Sequence, residues 1–88
     1  MKHLNIRIYG RVQGVGYRYF AKRVADQMGV WGFVDNMPDG SVYLEVEAAA
    51  KRLDQFLSLI KLGPNLSRVD KILVNPGPLK EFKSFEID

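Results

Sequence analysis

The 88-residue sequence contains no cysteine. Disulfides, thiolate chemistry and cysteine-based zinc sites are therefore excluded. It has a single histidine, His3, set in a strand pattern near the N-terminus; a solvated strand residue is expected there rather than a catalyst. With no histidine placed to partner Ser41, Ser58, Ser67 or Ser84, a serine triad is excluded. The acidic residues are scattered, without a helix-spaced pair or a cluster to hold a metal. Residues 35–40 superficially follow a calcium loop, but Met37 stands at the third ligand position and Val46 where a bidentate glutamate is needed, so calcium is rejected. Long apolar runs are missing as well. Met1-Lys2-His3-Leu4-Asn5-Ile6-Arg7 interrupts its apolar character at every second residue, as a strand does and a signal peptide does not. Nothing approaches membrane-spanning length, so a soluble, cytoplasmic protein with no membrane partner is expected.

What remains is one domain's worth of chain, residues 1–88, with 47% apolar residues, enough for a compact core. Thirteen basic residues against ten acidic ones leave a net charge of +3. That is an ordinary mixed-charge surface and identifies no partner.

The most informative stretch is Gly10-Arg11-Val12-Gln13-Gly14-Val15-Gly16-Tyr17-Arg18. An alternating strand (Leu4, Ile6, Ile8) runs into three glycines, followed at once by an arginine and a helical pattern. Glycines at a strand-to-helix turn let backbone N–H groups converge without Cβ interference. The helix start adds its own unpaired N–H groups and dipole, and Arg18 adds a planar guanidinium fork suited to a phosphoryl group. The loop is neither a Walker A motif nor a dinucleotide fingerprint. On these residues alone, an anion cradle and a purely structural turn both stand.

Beyond it, Phe20, Ala21, Val24, Ala25 and Met28 follow helical spacing up to a stop at Gly29. Val30 to Val34 is β-rich, and Pro38-Asp39-Gly40 turns the chain into a third strand from Ser41 to Glu47. A second helix is predicted over residues 49–62, stopped by Gly63-Pro64. A fourth strand follows over 69–74, then a rigid Asn75-Pro76-Gly77-Pro78 loop and a last strand over 82–87. The order βαββαβ, with that closing strand, predicts an α+β, ferredoxin-like plait: an antiparallel sheet, the first and third strands central neighbours, and both helices on one face. The other face is expected to be partly open, carrying some of His3, Asn5, Arg7, Tyr43, Glu45 and Glu47. Asn36 ends the second strand, where its amide either orients a water or substrate oxygen or simply starts a turn. Gln13 is read as a residue that closes the loop through its side chain, and Trp31 as packing or a hydrophobic rim.

The nonapeptide resembles the first signature of the acylphosphatases. Gly32-Phe33-Val34-Asp35-Asn36, with the Pro38-Asp39-Gly40-Ser41-Val42 hairpin, resembles the second. Gly63-Pro64, Ser67-Arg68-Val69 and Phe85-Glu86-Ile87 are similar to later landmarks of that family. The resemblance implies a monomeric hydrolase that cleaves the carboxyl–phosphate bond of acyl phosphates without cofactor or metal. It makes Arg18 the phosphate-binding arginine, Asn36 the water-orienting residue, and the backbone of Gln13, Gly14, Val15, Gly16 and Tyr17 the phosphate loop. Tyr17, Phe33 and Asp35 depart from the residues common in the family, and Asp35 raises the question of a weakened positive potential. Two other readings are kept. One is an RNA-binding sheet using Tyr43 for stacking, opposed by the negative charge of Glu45 and Glu47 and the lack of an aromatic RNA-binding run; nucleic acid is not expected as a partner. The other is a domain that binds a carbamoyl or phosphoryl group without turnover, as in larger maturation proteins.

Overall fold

Alternation of Leu4, Ile6 and Ile8 with polar residues does produce a strand, and a long one. The computed structural model describes residues 1–88. It contains β1 (Lys2–Arg11), α1 (Tyr17–Met28), β2 (Trp31–Asn36), β3 (Val42–Ala48), α2 (Ala50–Leu62), β4 (Arg68–Gly77) and β5 (Phe85–Ile87). The sheet order is β4-β1-β3-β2-β5, so the first and third strands are central neighbours as the plait requires. The β1, β2, β3 and β4 pairings are antiparallel, while β5 joins β2 in parallel and makes the sheet mixed.

One sheet face and both helices enclose the core. Ile6, Ile8, Val34, Val42, Leu44 and Val46 from the strands pack with Ala21, Val24 and Ala25 of α1 and Leu53, Phe56 and Ile60 of α2. Period-two strands and period-3.6 helices thus turn their apolar residues to a common interior. Gly29 ends α1 with φ 67°, its N–H donating to the Ala25 carbonyl. Gly63 ends α2 with φ 69°, each a backbone conformation that glycine adopts without strain.

The C-terminal quarter departs from expectation. Asn75, Pro76 and Gly77 do not form a loop; they pair with Asn5, Leu4 and His3 as the end of β4. Proline is tolerated there because β4 is an edge strand, paired on one side only. The last strand is shorter than 82–87, because residues 78–84 cross the outer face of the sheet instead of extending it. The Lys80 and Phe82 backbone N–H groups donate to the two carboxylate oxygens of Glu47, Phe82 at 3.0 Å. The Lys80 ammonium pairs with Glu45 at 2.7 Å, and the Phe82 ring stacks on His3.

This strap corrects the open-face reading at His3, Glu45 and Glu47, all of which are buried. His3 is no solvated strand residue. Its Nδ1 lies 2.8 Å from Glu47 Oε2 and its Nε2 lies 2.8 Å from Asn5 Oδ1. Trp31 sits at the rim of a cavity beside Met1, Leu79 and Phe82.

Candidate active site

The glycine loop, residues 12–16, joins the end of β1 to the start of α1, and its conformation follows from its composition. Gly14 and Gly16 adopt φ values of 73° and 78°, a region costly for side-chain-bearing residues. A Cβ at either position would meet nothing within 4 Å. Their role is therefore to permit the turn and to leave bare backbone facing open space. Gly16 is the N-cap of α1 and has no capping side chain, so the first N–H groups of the helix lack an intrahelical partner.

The loop is held from both sides. Tyr17, the first helical residue, turns its ring into the core and donates its hydroxyl to the Ile60 carbonyl of α2 at 2.6 Å. Burial pushes its phenol pKa well above the ordinary value. Val15 packs half-buried against the core. Gln13 sends its side chain across to the β2–β3 hairpin, where Nε2 donates to the Met37 carbonyl at 2.8 Å and the Ser41 carbonyl at 2.9 Å.

That hairpin is itself well ordered. Met37 N–H donates to Ser41 O at 2.9 Å and Gly40 N–H to Met37 O at 3.1 Å. The Asp39 carboxylate accepts from the Ser41 hydroxyl and N–H. Those bonds, the hydroxyl first, hold the Asp39 pKa below the usual carboxylate range.

Gln13 is thus the tie that brings the end of β2 beside the glycine loop. The result is a cavity of about 200 Å³ lined by Val12, Gly14, Gly16, Tyr17, Arg18, Tyr19 and Asn36. Arg18 is half-buried, and its Nη1 donates to the Asp88 backbone carbonyl at 2.9 Å, leaving donors of the guanidinium fork for another acceptor. Asn36 Oδ1 is buried without any hydrogen-bond partner. A buried amide oxygen left unpaired is costly and marks a place where water or a ligand belongs.

The structure therefore brings Arg18, Asn36, Gly14, Gly16 and Tyr17 to one cavity. Gln13 and Val15 belong to the loop, but their side chains point elsewhere. Asp35 is separated from the site by strand alternation. Val34 and Asn36 share one face of β2 and Asp35 the other, where the register pairs Asp35 with Tyr43. Its carboxylate does not enter the cavity. No group of three or more His, Asp or Glu side chains is arranged to hold a metal.

Two participants were not singled out from the sequence. Tyr19 lines the cavity and is 71% exposed; its position off the apolar stripe of α1, next to Arg18, was the available signal. The Asp88 carbonyl beside Arg18 has no sequence signal, being 70 residues away.

Comparison with known proteins bears directly on this geometry. The family model described as Acylphosphatase matches residues 4–87. The protein is 44% identical over 84 residues to the acylphosphatase of Archaeoglobus fulgidus, covering 96% of this chain and 94% of that one. It is 43% identical to the acylphosphatase of Ligilactobacillus salivarius, covering 99% and 98%. The crystal structure of acylphosphatase from Bacillus subtilis superposes with a TM-score of 0.98 at 36% identity, covering 100% of this chain and 99% of that one. Full-length HypF in its phosphate- and nucleotide-bound form is also similar, with TM-score 0.93 and 38% identity over 99% of this chain but only 12% of HypF.

Proposed function

The chain belongs to the acylphosphatase family and is an enzyme of that kind, acting on small acyl phosphates; within that activity, we propose that Arg18 and the glycine loop hold the phosphoryl group while Asn36 delivers the attacking water. The backbone N–H groups of residues 13–18 and the Arg18 guanidinium donate to the phosphoryl oxygens and stabilise the charge on them. Asn36 Oδ1 accepts a hydrogen bond from the water and aims its oxygen at phosphorus, opposite the acyl oxygen.

In the reaction, the water oxygen–phosphorus bond forms as the acyl oxygen–phosphorus bond breaks. The electron pair of the broken bond leaves with the carboxylate. The water proton passes to a phosphoryl oxygen, giving carboxylate and inorganic phosphate. A carboxylate is a weak base and needs no proton on departure. Phosphoryl transfer through a loose transition state is served mainly by positioning and charge stabilisation. The site's lack of a histidine, thiol or carboxylate cluster agrees with that chemistry.

The observation that carries this reading is the unpartnered, buried Asn36 Oδ1 on the same cavity as Arg18 and the bare glycine backbone. All proposed groups come from one protomer within residues 1–88, so a monomer working as one domain, without nucleic acid or a metal, is sufficient for this reading. The test is hydrolysis of benzoyl phosphate. Arg18→Ala is expected to lose both activity and competitive inhibition by inorganic phosphate, and Arg18→Lys to recover little because the ammonium lacks the fork. Asn36→Ala is expected to lose turnover while keeping the wild-type inhibition constant for phosphate. Normal turnover by Asn36→Ala would refute its role, and strong inhibition by EDTA would refute metal-free hydrolysis.

A further inference from the structure

The groups assigned to phosphate and water leave one side of the cavity without a role. Of the apolar residues lining it, Val12 and Tyr17 are buried and closed to a ligand, with 1% and 2% of their surface exposed. Tyr19 alone presents an accessible apolar surface there. It lies off the core-facing stripe of α1 formed by Tyr17, Ala21, Val24 and Ala25, so its ring is not spent on packing and stands 71% exposed. Side chains in a helix lean toward its N-terminus. From the first turn of α1, that direction carries Tyr19 over the mouth of the loop, where Gly14 and Gly16 leave open space.

We propose that Tyr19 is a specificity-determining residue that packs against the acyl group of the bound substrate and gives the enzyme a preference for aromatic over short aliphatic acyl phosphates. The proposal rests on the reading that the phosphoryl group sits at Arg18 and the glycine loop, since that position places the acyl end at the cavity mouth. The phosphoryl end supplies charge-assisted binding common to every substrate, so discrimination falls to the part that differs. An aromatic acyl group meets the Tyr19 ring, whereas an acetyl group is too short to cover it. The tyrosine hydroxyl is not required, because the contact is made by the ring.

The test compares kcat/KM for benzoyl phosphate and acetyl phosphate in the wild type, Tyr19→Phe, Tyr19→Ala and Arg18→Ala, with the inhibition constant of inorganic phosphate measured for each. Tyr19→Ala is expected to lower kcat/KM for benzoyl phosphate about 3- to 10-fold, the size of an aromatic pair contact, chiefly through KM. Acetyl phosphate turnover and phosphate inhibition should stay within about twofold of wild type on the same grounds, and Tyr19→Phe should keep the preference. An equal loss on both substrates, or no loss on benzoyl phosphate, overturns the proposal. If Arg18→Ala retained wild-type activity and phosphate inhibition, the underlying phosphate site would fall, and the proposal with it. An inactive Arg18→Ala beside an unaffected Tyr19→Ala would sink the acyl contact alone.

Discussion

Gln13 offers a perturbation whose consequences for stability and for chemistry separate. Its side chain makes two hydrogen bonds, to Met37 O and Ser41 O, and through them joins the glycine loop, which leads into α1 and Arg18, to the hairpin that follows Asn36. Gln13→Ala removes both bonds and leaves the residue-13 backbone N–H in place. Each bond is worth about 0.5–1.5 kcal/mol net. Both carbonyls keep a second donor, Gly40 N–H for Met37 and Met37 N–H for Ser41, so neither is orphaned and the low end of the range applies. The expected cost is about 1–2 kcal/mol, which lowers Tm by roughly 4–16 °C in a domain of this size.

The catalytic cost should exceed what unfolding explains. Without the tie, Asn36 is free to drift relative to Arg18, and misplacement by an ångström costs up to about 100-fold. At 20 °C, well below the melting range, kcat on benzoyl phosphate should fall about 10- to 100-fold. The inhibition constant of inorganic phosphate should change by less than about threefold, since loop backbone and Arg18 remain. A lowered Tm with kcat within twofold of wild type would show that Gln13 contributes stability without holding the two halves of the site in register. That result would refute the reasoning.

Further predictions concern the frame that carries the site. For Glu47, burial is the largest influence and favours the neutral form, but the Lys80 N–H, the His3 ring and the Phe82 N–H together hold its pKa below the usual range. Burial likewise opposes the charge of Glu45, while Lys80 and Tyr43 outweigh it. Folded-state values below the unfolded reference of about 4.3 mean that the stabilisation is complete above that pH and is lost as pH falls through the folded values. Tm should therefore be nearly flat from pH 7 to 5 and drop below about pH 4. Glu47→Gln should cost about 2–4 kcal/mol at pH 7 and shallow the acid limb; an unchanged limb in urea titrations would contradict the strap's anchoring. Gly32→Ala should abolish folding as judged by circular dichroism, because φ is 151° and the new Cβ would collide with the Glu45 carbonyl of the neighbouring strand. Gly40→Ala, at φ 92° with open space around it, should cost only about 1 kcal/mol.

The sequence revealed the elements wherever local pattern and punctuation agreed. Both helices end at their glycines, the Pro-Asp-Gly turn makes the hairpin, and β1 and β3 are central. It misled where a local signal met a long-range partner. Asn75-Pro76-Gly77 reads as a loop by composition, yet an edge position beside β1 lets it pair. His3 alternates like a surface residue and is buried because a strap from the far end of the chain, residues 78–84, covers it, anchored on Glu47. The same limit applied at the site. Arg18 and the glycines were legible as a group because they are contiguous. The nearness of Asn36 depends on Gln13 reaching across 24 and 28 residues. The alternation that sends Asp35 to the opposite face of β2 from Asn36 is written in the strand pattern, and it keeps the Asp35 carboxylate out of the cavity lining.

The central claim is that an oriented water attacks phosphorus, and isotope placement reads it directly. Benzoyl phosphate is hydrolysed by the wild-type enzyme in water enriched in oxygen-18, and the products are analysed by mass spectrometry. Attack at phosphorus puts one labelled oxygen into inorganic phosphate and none into benzoate. Label in benzoate would place the attack at the carbonyl carbon and contradict the roles given to Arg18, the glycine loop and Asn36.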